Sequence, residues 1–189
     1  MSDITLWDSL KKGDKKALEQ IYASHIAQLL KYGRKFSKND QLIEDCVQDL
    51  FIELWRNREG LGRTDSIVRY LLVALRRKVI RQLDKSKKRI SETEPTELDF
   101  DAEIAVDQQL IAEELSAERA AQLQSAMENL SKRQKEVIYL KYITGLDYED
   151  ISEVMGLNYQ SARNLVSSAL RAMKKQLLSL FLIFLVQNF

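Results

Sequence analysis

The chain has 189 residues, a formal net charge of +1 and 45% apolar residues. That length allows one domain or two small ones with real cores, and the near-neutral total gives no argument for or against nucleic acid. One proline and six glycines, among abundant Leu, Ala, Glu, Lys and Gln, point to an all-α protein.

Residues 4–24 read as a helix, a turn at Lys12-Gly13-Asp14 and a second helix capped by Asp14. Ala17, Leu18, Ile21 and Tyr22 make its core stripe, which continues through Leu29, Leu30 and Tyr32. His25 has no cysteine or acid at ligand spacing and reads as a structural or surface histidine, not a metal ligand. The N-terminus lacks the basic region and apolar core of a signal peptide. Cys46 is the one cysteine, which rules out an intramolecular disulfide and suits a reducing, cytoplasmic setting.

Ser37-Lys38-Asn39-Asp40 is a turn signal. The helix after it places Ile43, Cys46, Val47, Leu50, Phe51 and Leu54 on a core face. Its opposite face carries Asp45, Gln48, Asp49, Ile52 and, at the edge, Trp55. Apolar groups rimmed by carboxylates suit a protein partner with a basic, partly apolar surface. The other reading is that a neighbouring helix of the same domain covers Ile52 and Trp55.

Asn57 to Asp65 is a loop with two glycines, and it lacks the third glycine and the preceding strand of a dinucleotide site. Asp65 or Ser66 caps the next helix, with Val68, Leu72, Leu75, Val79 and Leu83 on its buried face. Tyr70, Arg77, Arg81, Lys85 and Lys88 share another stripe. From Ser66 to Ile90 there are nine bases and one acid, a bias that favours nucleic acid over an ordinary solvated face. A ring among bases can stack on an unpaired nucleotide while the bases hold phosphates.

Ser91 to Glu118 then holds ten acids and no base, so the neutral total hides two opposed blocks. Residues 91–107 contain the single proline and no clear period and read as an exposed acidic linker. Leu110, Ile111, Leu115, Ala121, Leu123, Ala126, Met127 and Leu130 start a second apolar set. Ser131 with Gln134 forms a capping-box pattern, Val137, Ile138, Leu140 and Ile143 supply core, and Gly145 ends that helix.

Asp147 to Lys175 reads as two helices joined by a tight turn. Asp147 caps the first, Ile151, Val154 and Met155 form its stripe, Gly156 turns the chain, and Asn158 caps the second. In the second helix Ala162, Leu165, Val166, Ala169 and Met173 share one side. Gln160, Arg163, Asn164, Ser167, Arg171 and Lys174 share the other. This is the pattern of a DNA-binding helix-turn-helix. Four bases and no acid between Tyr159 and Gln176 suit an approach to phosphates. Leu177 to Val186 is strongly apolar but shorter than the ~17 residues a membrane span needs.

Two stretches resemble a known family. Glu44 to Trp55 is close to the region-2 pattern of bacterial sigma factors, Glu-Asp-x-Val-Gln-acid-x-Phe-x-x-aliphatic-Trp. Leu130 to Gln134, then Leu146 to Leu157, are close to the region-4 pattern. The chain therefore looks like a sigma factor of bacterial RNA polymerase, most similar to the small extracytoplasmic-function group of the sigma-70 family. Asn158 to Leu165 resembles the form common in Bacteroides-like bacteria.

The resemblance implies an all-α chain of two small helical domains: region 2 over residues 1–90, the linker over 91–107 and region 4 over 108–189. It implies that Asp45, Gln48, Asp49, Ile52 and Trp55 bind core RNA polymerase at the clamp coiled coil of its largest subunit. The loop 58–66 and the following helix, with Tyr70, Arg77, Arg81 and Lys85, would open and capture a promoter −10 element. Gln160, Arg163, Asn164, Ser167 and Arg171 would meet the −35 element. An anti-sigma factor is a further implied partner. Arg77 and Arg81 depart from the family, which has Asn and often an acid there, and Leu165 and Ser168 stand where many relatives carry arginine. The apolar tail, outside the family pattern, is a last helical turn packing on region 4 or an anti-sigma contact. No nucleophile–base–acid constellation and no metal-ligand cluster stands out, so neither catalysis, a small-molecule substrate nor a cofactor is expected.

Overall fold

The computed structural model describes residues 2–88, 100 and 117–187, and every regular element among them is helical. They fall into two units. In the N-terminal unit, α1 (Asp3–Lys11), α2 (Lys15–Gly33) and α3 (Asp40–Arg56) precede a 3₁₀ turn (Arg58–Gly60) and α4 (Ile67–Lys88). The side chains of Ser2, Asp14 and Asn39 accept the first free amides of α1, α2 and α3. Each such cap is worth about 1 kcal/mol. Between α1 and α2 the chain reverses at Gly13, whose φ of +86° a side chain would strain.

α2, α3 and α4 pack on one another, and α1 lies on α2. The α2–α3 corner is tight: a Cβ on Gly33 would fall 2.6 Å from Ile43 Cγ2. Ile43, Cys46, Val47, Leu50, Phe51 and Leu54 are buried, as the α3 periodicity predicts. Burial pushes the Cys46 thiol up, leaving it a small core hydrophobe.

Two expectations for this core need correction. On α2, Ala17, Ile21, Leu29 and Tyr32 are buried, but Leu18 is only half-buried and Tyr22 is 47% exposed. The apolar side of α2 is wider than the core needs. On α4, Leu72, Leu75 and Val79 are buried together with Ile67 and Leu71, while Val68 and Leu83 are half-buried. Ile67, Leu71, Leu75 and Val79 follow one i, i+4 row, which sets Ile67 rather than Val68 inward.

In the C-terminal unit, α5 (Ala117–Glu128) and α6 (Lys132–Ile138) both pack on the long α8 (Tyr159–Gln187). α6 begins with the reciprocal Ser131–Gln134 capping box. It continues into one π-helical turn over Tyr139–Ile143 before α7 (Tyr148–Met155). The extra residue of a π-turn advances the helix phase by about 100°. That corrects Ile143, expected in the core and found 44% exposed; Tyr139, at the start of the turn, is buried. Burial pushes the Tyr139 phenol up to about 12.

Of the expected linker, residues 91–99 and 101–107 lie outside the described residues, as do Leu110, Ile111 and Leu115. Phe100 departs from an exposed linker: it is buried, edge-on to Tyr139 with centroids 6.0 Å apart. α8 carries helical backbone through the apolar tail to Gln187. Among the described residues no helix is long and apolar enough to cross a membrane.

Candidate protein-binding and nucleic-acid surfaces

Asp45, Gln48, Asp49 and Ile52 stand exposed on the outer face of α3, Ile52 at 48%. Among the described residues no neighbouring helix covers Ile52. Trp55 is half-buried. The Arg58 guanidinium lies 4.5 Å over its ring and donates to its carbonyl oxygen at 2.9 Å. The indole is thus held by a cation on one face and left available on the other.

The face is one wall of a groove of about 810 Å³. Gln48, Phe51, Ile52 and Trp55 line it from α3; Leu18, Tyr22, Ile26 and Leu30 line it from α2. Tyr22 meets Phe51 edge-on at 4.9 Å. Sequence reasoning missed the α2 wall because it counted Leu18, Tyr22 and Leu30 in the core stripe; Leu18 and Leu30 are half-buried and Tyr22 is exposed. The signal was present: Leu18, Tyr22, Ile26 and Leu30 form a second i, i+4 row beside the buried one. An apolar floor with Glu44 in its wall, and with Asp45 and Asp49 exposed on the same helix, is suited to an amphipathic, basic protein segment.

Tyr70 does not stand free beside the bases of α4. It is half-buried, its ring centroid 4.8 Å from that of Trp7, and burial raises its phenol. Arg77, Arg81 and Lys85 are exposed. Lys78, one of the nine bases, is spent inside the unit on Glu53 of α3 at 2.7 Å. The 57–66 loop presents Gly60, Gly62, Arg63 and Asp65 to solvent. Thr64 shapes its end, accepting the Ser66 amide at 3.2 Å and donating to the Ser66 carbonyl at 2.9 Å. Ser66 rather than Asp65 caps α4, accepting the Arg69 amide at 3.3 Å.

In the C-terminal unit the helix-turn-helix is built from local signals. Asp147 accepts the Asp150 amide at 2.8 Å, Gly156 turns at φ +63°, and Asn158 accepts the Ser161 amide at 2.7 Å. Ala162, Val166, Ala169 and Met173 are buried, so Gln160, Arg163, Asn164, Ser167, Arg171 and Lys174 face outward and exposed. Gln160 donates to Asn164 Oδ1 at 3.0 Å, and Arg163 lies 5.9 Å over the Tyr159 ring. These contacts hold the amides and the guanidinium side by side on the first two turns. The positive end of the α8 dipole adds to them. Ser168 is half-buried and holds the unit together: Gln134 of the capping box donates to its hydroxyl at 3.1 Å.

The same two units match described domains. The sigma-70 region 2 family model matches residues 21–89, and the sigma-70 region 4 family model matches residues 120–173. No curated protein matches the chain significantly. Among solved structures the chain is similar to CnrH in its complex with the cytosolic domain of CnrY. That likeness has 20% identity and a TM-score of 0.62 over 95% of this chain and 99% of the other. It is also similar to the sigma factor RpoE of Bartonella quintana in its complex with the anti-sigma factor NepR. There the identity is 20% and the TM-score 0.60, over 86% of this chain and 97% of the other. At that identity the likeness is one of fold. The two family models together take in more than half of the chain, which therefore belongs to the sigma-70 family and carries its regions 2 and 4 in order.

Proposed function

We propose that this member of the sigma-70 family is a small promoter-directing subunit of bacterial RNA polymerase, of the extracytoplasmic-function type. The observation that carries the reading is one chain with two exposed surfaces of opposite chemistry, each on the sigma-70 domain that calls for it. The acid-rimmed apolar groove of α2 and α3, with Asp45, Gln48, Asp49, Ile52 and Trp55, takes the clamp coiled coil of the polymerase largest subunit. The 57–66 loop and the α4 bases Arg77, Arg81 and Lys85 engage the −10 element. Tyr70 supports that surface from below. Gln160, Arg163, Asn164, Ser167 and Arg171 meet the −35 element in duplex DNA.

The mechanism involves no covalent step. Core polymerase holds the two DNA-reading domains at a fixed span, and binding energy gained by the loop and α4 stabilises the melted −10 segment. An anti-sigma factor is a fitting regulator, since RpoE of Bartonella quintana was solved with one. A cytoplasmic location follows from this role.

The test is co-purification with core polymerase. Wild type is expected to bind, and Asp49→Lys to lose binding at least about thirtyfold, as a reversed charge at an interface centre should. A variant that binds core as wild type does removes the α3 face from the account. A wild-type chain that binds promoter DNA but never core would be an ordinary helix-turn-helix regulator.

A further inference from the structure

The first helix, α1, precedes residues 21–89, where the region 2 match begins and ends. Leu6 and Leu10 bury it on α2, which accounts for its docking. Its polar atoms go elsewhere. The Trp7 indole N–H donates to the Gly62 carbonyl at 2.8 Å, and Trp7 is 1% exposed. Asp3 Oδ2 accepts the Ile67 amide at 2.8 Å, a second cap for α4 supplied from 64 residues away. The loop is thus held in its middle, at Gly62, and at its end, at Ile67, by one short helix.

We propose that α1 is a brace that sets the shape of the 57–66 loop, with Trp7 and Asp3 as positioning residues for promoter opening. The physical need is plain. The loop carries Gly60 and Gly62, and no atom lies within 4 Å of a Cβ placed at either. Such a segment loses about 1–2 kcal/mol of conformational entropy per residue when fixed. If it were fixed only on meeting DNA, that loss would be subtracted from the energy available for melting. Trp7 fixes it beforehand, with a donor that has no other role. The same ring supports Tyr70, so loop and α4 are set by one residue. Asp3 places its charge at the α4 N-terminus, where it also favours the helix dipole.

The functional half of this proposal rests on the loop acting at the −10 element. The test uses the full chain with core polymerase on a promoter mapped by sequencing its transcripts. Trp7→Phe keeps a ring against Tyr70 and deletes only the N–H donor. It is expected to melt as a folded protein and to bind core and a −35 duplex within about twofold of wild type. Amide exchange over residues 61–66 should accelerate, and the rate of open-complex formation should fall, each by about fivefold, the effect of one ordinary hydrogen bond. Asp3→Asn, which keeps an acceptor oxygen, should retain more opening activity than Asp3→Ala. Loop exchange and opening rates equal to wild type in Trp7→Phe would overturn the brace. Faster exchange with an unchanged opening rate would overturn its role in opening. A wild-type chain that starts no transcription with core would sink the proposed function, while the exchange measurement would still decide the brace.

Discussion

The outer faces of α3 and α8 are both exposed helix surfaces, but they are built for different partners. On α3, Ile52 and Trp55 sit among carboxylates, and α2 runs alongside to make a groove. On α8, the exposed face of the first turns holds two amides, a hydroxyl and a guanidinium with no acid among them. A protein partner brings a convex helix and needs apolar area, so the site is concave. Duplex DNA supplies its own groove, so the reading surface is convex and polar. The charge difference also separates their salt responses, and that contrast can be broken experimentally.

The largest effect is expected at α3. Trp55→Ala should weaken core binding by at least about 2 kcal/mol, as truncation of a central interface aromatic does. The factor lost should be similar at low and high salt in a competition assay, because packing rather than charge is removed. A loss that vanished at high salt would make the α3 face electrostatic, like α8. Next comes α8. Arg163→Ala should relax discrimination at one −35 position by about 1–3 kcal/mol if the guanidinium reads a base. If it holds a phosphate, all sequences should weaken alike and the salt slope should fall by about one unit. Unchanged affinity for a −35 duplex would remove Arg163 from the reading face.

The smallest effect separates the two units by pH. His25, the one histidine, lies in the N-terminal unit, where burial lowers its pKa below the ordinary 6.5 against the pull of Asp3 and Gln28. The folded state then binds fewer protons than the unfolded one. Stability is full above 6.5 and declines as pH falls through 6.5 toward the folded value. Trp7 and Trp55, the two tryptophans, lie in the same unit, so their fluorescence reports its urea midpoint alone. That midpoint should drop between about pH 7 and 5.5, and His25→Gln should flatten the change. An equal pH slope in the variant would assign the effect to other groups.

How much of this was legible in the sequence follows the range of the interaction. The caps at Asp14, Ser131, Asp147 and Asn158 and the turns at Gly13 and Gly156 act within a few residues, and each stands where its neighbours indicate. The α8 faces were legible because α8 buries one side only over its first turns. The basic stripe of α4 was only partly so. Neighbouring helices take up Tyr70 of the stripe, and Lys78 beside it, and which residues are taken depends on chain 25 and more positions away. The Trp7–Gly62 bond spans 55 residues and the Gln134–Ser168 bond 34, and no periodicity encodes either. The π-turn was invisible for another reason: one extra residue per turn shifts every later side chain, and Ile143 sits at a position that fits core spacing in an unbroken α-helix.

The most direct measurement is transcription in vitro with core polymerase and this chain on fragments of its own genome, followed by mapping of the 5′ ends. The expected result is a small set of discrete starts, each preceded by the same pair of −35 and −10 sequences at a fixed spacing and absent with core alone. Starts identical to those of core alone, or none at all despite intact binding of duplex DNA, would contradict the assignment of this chain to promoter-directed initiation.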